Sequence, residues 1–209
     1  MHFDVLLFAG FDELDALAPW EILSGLAAMD PEHSAALVTL DGAKPITASH
    51  GAVLLPHAAL SAAPDVLVVP GGGWSDGGSE GGVSVAVREG VIPAAIAERH
   101  ARGAVVASVC TGAMLLATAG LLEGRPATTH AGAKDDLRAA GAEVIDGVRV
   151  VDDGDVITAG GVTCGLDLAL WLVERFAGPR VALLAERELE YERRGAVWRG
   201  ARATGGAAT

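Results

Sequence analysis

The chain has 209 residues, and 27 acidic against 15 basic side chains give it a formal net charge of −12. This length suits one domain, and the acidity argues against nucleic acid or an anionic membrane as a partner, because both attract basic surfaces. The 51% hydrophobic content allows a sizeable core, whereas two cysteines are too few for a secreted disulfide scaffold. With no cleavable leader pattern and no membrane-spanning apolar run, we expect a soluble, cytoplasmic protein.

Apolar strands alternate with helical patterns along the whole chain. The predicted strands are 3–8, 35–40, 65–70, 104–109 and 127–129, with hairpins at 45–60 and 148–159. The predicted helices are 15–29, 83–102, 112–119, 134–140, 164–176 and 181–193, the second with a possible break at Pro93. Strands that are apolar throughout are typical of a parallel sheet covered on both faces. We therefore predict a single doubly wound, flavodoxin-like α/β domain over 1–194, followed by a flexible tail at 195–209.

The apolar strand at 104–109 ends at Cys110, and a helix begins within two residues. This strand–turn–helix pattern is typical of a nucleophile elbow, with Cys in place of Ser. It places the sulfur at the carboxyl edge of the sheet, where open α/β folds bind ligands. It also places the sulfur at a helix N-terminus, which is expected to stabilise a thiolate. Cys110 is the candidate nucleophile, and the alternative is a small buried residue at a strand end.

Three glycines, Gly71, Gly72 and Gly73, directly follow the strand at 65–70. Glycines at this position expose backbone N–H groups at the same sheet edge as the thiol. Together with the N–H of Thr111, they are candidate donors of an oxyanion hole. The alternative is an ordinary turn between a strand and a helix.

Two acidic residues, Glu13 and Asp15, lie in the loop after the first strand and therefore at the same edge. An acid beside a thiolate would share a proton with it or hold an attacking water. Like charges in contact should also raise the pKa of the carboxyl group. The alternative for Asp15 is an N-cap of the helix that follows.

His130 follows the short strand at 127–129 and is either a base for the thiol or a structural residue. The other five histidines show no metal-ligand spacing, so no metal site is predicted. Cys164 opens a helix without an elbow and is predicted to be a packing residue.

Five segments occur in a characteristic order, at 70–73, 108–112, 119–125, 127–130 and 160–167. Together they resemble the ThiJ/PfpI superfamily, which is related to class I glutamine amidotransferase domains. Within that superfamily the chain is most similar to isocyanide hydratase and its relatives. The resemblance extends over nearly the whole chain and implies the fold predicted above.

The resemblance implies roles for individual residues. The nucleophile corresponds to Cys110, and the acid, four residues before Pro19, corresponds to Asp15. Thr111 follows the cysteine as it does in hydratases of this kind, where protease-like members carry His. The implied reaction is attack of the thiolate on an isocyanide, followed by hydrolysis of a thioimidate to an N-substituted formamide, with Gly72 and Thr111 N–H groups stabilising charge. A homodimer without metal or organic cofactor is also implied.

Three features depart from the hydratase-like pattern. Ala131 stands where a large aromatic residue is common, the segment 190–195 lacks the usual Pro- and Phe-containing continuation, and the loop at 71–83 is long. Each would reshape the pocket or the dimer surface, which leaves the substrate open.

Other functions remain open at this point. A reactive cysteine at an elbow also suits a redox sensor that is oxidised to a sulfinate. A reactive-carbonyl hydrolase of the glyoxalase type would use the same nucleophile. A regulator's sensor domain is disfavoured because no DNA-binding module follows, and a glutaminase is disfavoured because no His and Glu pair completes a triad.

Overall fold

The computed structural model of the protein describes residues 1–42, 44–74 and 81–206. The strands in this part of the chain are β1 (His2–Leu6), β2 (Ser34–Thr39), β3 (Ile46–Thr47), β4 (Val53–Leu54), β5 (Ala58–Ala59), β6 (Val66–Val69), β7 (Val105–Ser108), β8 (Pro126–Ala127), β9 (Glu143–Val144), β10 (Val150–Asp152), β11 (Val156–Ala159) and β12 (Trp198–Arg199). The helices are α1 (Glu13–Met29), α2 (Val83–Glu89), α3 (Val91–Ala101), α4 (Gly112–Thr118), α5 (Lys134–Ala139), α6 (Cys164–Ala177) and α7 (Pro179–Glu188).

Eight strands form one sheet in the order β12-β10-β11-β7-β6-β1-β2-β5, in which only the β10–β11 pair is antiparallel. The central strands β6 and β11 are buried along their whole length, which explains their continuous apolar sequences. One layer of helices, α1, α6 and α7, packs on one face, and α2, α3 and α4 form the other layer. The predicted doubly wound, flavodoxin-like α/β fold is therefore confirmed.

The predicted helix 83–102 is divided, but at Gly90 rather than at Pro93. Gly90 has a φ of +73°, a left-handed conformation that ends α2 and precedes α3. Pro93 is the third residue of α3, where a backbone N–H has no intrahelical acceptor, so the missing hydrogen costs nothing there. The break therefore lies at Gly90, which adopts a positive φ, and not at Pro93, which lacks a backbone N–H donor.

Within the predicted tail at 195–209, of which 207–209 lie outside the described residues, a short strand joins the sheet. Strand β12 pairs with β10, the N–H of Gly200 donates to the Asp152 carbonyl at 2.8 Å, and Arg202 forms an ion pair with Asp153 at 2.8 Å. A strand of two residues has no periodicity to detect, which is why the sequence did not indicate it. The sheet therefore continues past residue 194.

Candidate active site

Cys110 lies at the carboxyl edge of the sheet, between the end of β7 and the start of α4. Its φ of +55° is left-handed, which costs a residue with a side chain about 1–3 kcal/mol. The conformation is held from two sides: the Cys110 N–H donates to the Gly160 carbonyl at 2.8 Å, and the Thr129 hydroxyl donates to the Cys110 carbonyl at 2.7 Å. This is the geometry that the elbow pattern predicts.

The elbow packs against the end of β6 so closely that two glycines are required. A Cβ on Gly112 would lie 2.4 Å from the Val69 carbonyl oxygen. A Cβ on Gly71 would lie 2.6 Å from the Thr111 nitrogen and 2.9 Å from a carboxylate oxygen of Asp15. The close approach of three chain segments thus brings the predicted site residues together.

Asp15 is fully buried in the first turn of α1, where it faces the thiol. Its Oδ2 accepts a hydrogen bond from the Gly71 N–H at 3.0 Å. Its Oδ1 is buried and has no partner of normal hydrogen-bond geometry among the described residues, while Cys110 is near enough to influence its ionisation. The N-cap of α1 is Asp12, whose Oδ1 accepts from the Leu14 N–H at 3.0 Å. Asp15 is therefore not a helix cap, and its free oxygen is available for chemistry.

The electrostatics of the pair keep both groups from being charged together. Burial, aided by the charge of Asp12, raises the pKa of Asp15 to about 7. Burial also raises the pKa of Cys110 to about 12, and the charge of Asp15 adds to it. The expected rise for the carboxyl group is present, but the expected stabilisation of a thiolate by the helix N-terminus is outweighed by desolvation. Near neutral pH the last shared proton accordingly resides on the sulfur.

The backbone donors are arranged differently from the predicted oxyanion hole. The Gly71 N–H is used by Asp15, and the Gly72 N–H donates to the Thr111 hydroxyl oxygen at 3.0 Å. Gly73 contributes its carbonyl, which accepts from the Ser84 N–H at 3.3 Å. The N–H groups of Gly71 and Gly72 therefore organise the acid and the threonine and are not free donors, because the tight turn aims them inward.

Among the described residues, the backbone N–H groups of Thr111 and Val162 interact with the Cys110 sulfur and lower the pKa of the thiol. Val162 follows β11, the neighbour of β7 in the sheet, with Thr158 in register with Ser108. The sequence analysis missed this role. The two glycines before Val162, at the end of an apolar strand, were the feature that would have indicated it.

Glu13 lies at the mouth of the site and binds the loop between β3 and β4. Its carboxylate accepts from the backbone N–H of His50 at 3.0 Å and of Ala52 at 3.2 Å. The Nδ1 of His50 lies 2.8 Å from the same carboxylate. Asp12, Glu13, Leu14, His50, Ala52 and Val162 line an open depression here. Val162 belongs both to this depression and to the surroundings of Cys110, because its backbone N–H also lowers the pKa of the thiol.

The contacts of His130 within the described residues are with Gly132 and Gly161 and not with the thiol. Its Nδ1 accepts from the Gly132 N–H at 3.1 Å, and its ring covers Gly161. The preceding residue, Thr129, is the one that touches Cys110, through the backbone carbonyl. The structure thus favours a structural role for His130. Cys164 is buried in the core cluster, in keeping with the predicted packing role.

A second cavity lies near the C-terminal segment, between Arg149, Trp171 and Arg193. Its charged groups already pair with each other, as in Arg149–Asp167 at 2.6 Å and Arg193–Glu174 at 2.6 Å. Within residues 1–42, 44–74 and 81–206, no group of three or more His, Cys, Asp or Glu side chains is placed to hold a metal ion. None of the described helices is both long and apolar enough to cross a membrane.

Comparison with known proteins places this geometry in context. A model of the DJ-1/PfpI family matches residues 3–175. An isonitrile hydratase from Pseudomonas putida is 37% identical over 188 residues, which cover 89% of this chain and 76% of that protein. A deglycase from Pyrococcus horikoshii is 34% identical over 110 residues, or 53% of this chain and 59% of that protein.

A solved structure agrees with the sequence comparisons. A ThiJ/PfpI family protein from Pseudomonas syringae superposes with a TM-score of 0.80 at 29% identity. The superposition covers 93% of this chain and 76% of that one. The similarity in fold therefore extends over most of this chain.

Proposed function

The chain belongs to the DJ-1/PfpI family, and from that premise we propose that it is a cysteine-dependent hydratase that converts an isocyanide and water to an N-substituted formamide. The observation that carries the proposal is the buried pair of Cys110 and Asp15, with Thr111 after the cysteine. Similarity to an isonitrile hydratase supports the substrate class, since isonitrile and isocyanide are two names for one functional group.

In the first step, the Cys110 sulfur attacks the terminal carbon of the isocyanide and an S–C bond forms. The thiol proton passes to the Asp15 carboxylate, which delivers it to the same carbon, so the product is a neutral thioimidate. The free Oδ1 of Asp15 suits this transfer, because it has no competing protein partner among the described residues. A carboxyl pKa of about 7 allows the group to accept and return a proton near neutral pH.

In the second step, Asp15 is again a carboxylate and removes a proton from water as the oxygen bonds to the thioimidate carbon. The proton goes to the substrate nitrogen, which gives a tetrahedral adduct. The C–S bond then breaks, the hydroxyl proton returns to sulfur through Asp15, and the formamide leaves. The N–H groups of Thr111 and Val162 stabilise the negative charge on sulfur as it departs.

We further propose, from the family resemblance, that the enzyme is a cytoplasmic homodimer that needs no metal or organic cofactor. A reactive-carbonyl hydrolase is the second candidate, and the similarity to a deglycase favours it. A redox sensor is a third candidate, but the raised pKa of the Cys110 thiol disfavours it, because oxidation by peroxide depends on thiolate character.

The test compares the wild type, Cys110→Ala and the matched control Cys164→Ala, each incubated with an aryl isocyanide and, separately, with methylglyoxal. We expect many turnovers to formamide by the wild type and by Cys164→Ala, and none by Cys110→Ala. Turnover of methylglyoxal alone would move the substrate class to reactive carbonyls. Oxidation of Cys110 by dilute peroxide, with turnover of neither compound, would replace the hydratase with the sensor.

A further inference from the structure

The pair of His50 and Glu13 at the mouth of the site has no part in the mechanism above. The pair is held by several contacts: the backbone N–H groups of His50 and Ala52 both donate to Glu13, and the Ser49 hydroxyl donates to it at 3.3 Å. The loop is also fixed from behind, since the Ser49 N–H donates to the Phe11 carbonyl at 2.8 Å. The imidazole therefore has a defined position at the rim of the depression that Val162 also lines.

The two members of the pair differ in what an incoming molecule meets. The side chain of Glu13 is 18% exposed and its charge is taken up by backbone donors, whereas the side chain of His50 is 76% exposed. Since Nδ1 is engaged by the carboxylate, Nε2 is the nitrogen that remains for a ligand. Val162 lines this depression together with His50 and interacts through its N–H with Cys110, so the depression adjoins the thiol.

We propose that His50, positioned by Glu13, is a specificity-determining residue that favours substrates whose substituent carries an anionic group such as a carboxylate. This inference refines the substrate class of the proposed hydratase. It rests on the proposed function only in taking an isocyanide as the group that reacts with Cys110. A protonated imidazole supplies both a positive charge and an N–H donor to a carboxylate. In a chain of net charge −12, this local cation offsets a repulsive field.

The preference should depend on pH through the groups that face the imidazole. The hydrogen bond to Glu13 raises the pKa of His50, and the charges of Glu13 and Asp12 act in the same direction. The imidazolium is therefore retained to a higher pH than in a histidine without these partners, and it is lost as the pH rises through the raised pKa. The preference for an anion should fall over the same range.

The first test uses two alkylating reagents of similar size, iodoacetate and iodoacetamide, on the Cys164→Ala variant, in which Cys110 is the sole thiol. In each reaction an S–C bond forms, iodide leaves, and the thiol proton passes to Asp15 or water. We expect His50→Gln to lower the ratio of the iodoacetate rate to the iodoacetamide rate by about two- to fivefold at about pH 6 and low salt. At about pH 9, where the imidazole is neutral, the substitution should have no effect on the ratio.

Two variants make the result specific. His100→Gln removes another histidine paired with a carboxylate, at 2.7 Å from Asp155, and should leave the ratio unchanged. Glu13→Gln lowers the pKa of His50, so the preference should vanish at a lower pH than in the parent. An unchanged ratio in His50→Gln at acidic pH, in a protein with an unaltered circular dichroism spectrum, would overturn the proposal.

A second test separates this proposal from the proposed function. We would measure kcat/KM for 4-isocyanobenzoate and its methyl ester with the wild type and His50→Gln, and we expect a loss for the carboxylate alone. Turnover of both compounds with no selective loss would leave the hydratase standing and remove the role of His50. An alkylation ratio that depends on His50, without turnover of either isocyanide, would keep the anion site and refute the hydratase.

Discussion

Two aspartates at opposite edges of the sheet show how differently the fold treats the same side chain. At the carboxyl edge, Asp15 is buried, no cation among the described residues offsets that burial, and its pKa rises to about 7. At the amino edge, burial also opposes ionisation of Asp155, but hydrogen bonds from Arg125 at 2.6 Å and His100 at 2.7 Å outweigh it and lower the pKa to about 2. Asp155, which has cationic partners, remains ionised and acts as a structural anion. Asp15, whose pKa lies near neutrality, is able to exchange a proton.

The carboxyl edge of the sheet also contains two energetically unfavourable features. The carboxyl edge holds the left-handed Cys110 and the Oδ1 of Asp15, which has no hydrogen-bond partner of normal geometry in the described part of the chain. Both cost folding free energy, and both are retained by the close approach of the strand ends at Gly71 and Gly112. The carboxyl edge is thus the less stable of the two. We expect Asp15→Asn to lower turnover and raise stability at alkaline pH, and Asp155→Asn to lower stability and leave turnover unchanged.

The largest expected effect is that of Asp15→Asn on turnover. Removal of the proton acceptor should reduce kcat for isocyanide hydration by about 10²- to 10⁴-fold. The same substitution should stabilise the protein at alkaline pH: a raised carboxyl pKa contributes stability below about pH 4 that is lost as pH rises through 7, and Asn has no such loss. Thermal unfolding at about pH 8 should show a gain on the order of 2–4 kcal/mol.

The control for this prediction is the pH dependence itself. At about pH 5, where Asp15 is protonated in the folded protein, the stability difference between Asp15→Asn and the wild type should shrink. A variant that is less stable than the wild type at alkaline pH would show that Asp15 is a structural anion like Asp155.

Close packing at the elbow gives the next effect. Gly112→Ala forces a methyl group against the Val69 carbonyl, so we expect a loss of about 1–3 kcal/mol in unfolding free energy and reduced turnover as Cys110 shifts. Gly25→Ala is the matched control, because a Cβ there meets nothing within 4 Å on an interior position of α1. It should stabilise the protein by about 0.5–1 kcal/mol. Equal effects of the two substitutions on chemical denaturation would contradict the close approach.

The smallest effect belongs to the amino edge. Asp155→Asn removes a carboxyl whose pKa is lowered, and such a group stabilises above about pH 4 and loses its contribution as pH falls toward 2. Because the side chain is 49% exposed, solvent screening should limit the loss at neutral pH to about 1 kcal/mol, with kcat unchanged. A large fall in kcat would mean that this edge is coupled to the site.

The chemical identity of the site was predictable because strands, a cysteine and glycines mark the elbow locally. In a parallel sheet the loops after β1, β6 and β7 meet at one edge. The sequence therefore sufficed to predict that Asp15 lies near Cys110. What the sequence did not indicate depends on three-dimensional detail: desolvation that makes Cys110 a thiol, and the inward N–H groups of Gly71 and Gly72.

The sequence also did not predict a very short strand, the position of a helix break and the role of His50. Strand β12 has two residues and no pattern, and the helix break at Gly90 competes with a more conspicuous proline. His50 belongs to a loop far from Cys110 in sequence, and nothing local to it indicates chemistry. Its place at the site arises from its contacts with Glu13, which the sequence analysis had singled out for its position alone.

The most direct test of the shared proton is the protonation state of Asp15, measured by infrared difference spectra between the wild type and Asp15→Asn across pH. We predict a protonated carboxyl band in the wild type that falls to half near pH 7, with no thiolate absorbance from Cys110 at that pH. A band already absent at about pH 5, together with thiolate absorbance at neutral pH, would show that sulfur carries the charge and Asp15 is an ordinary acid.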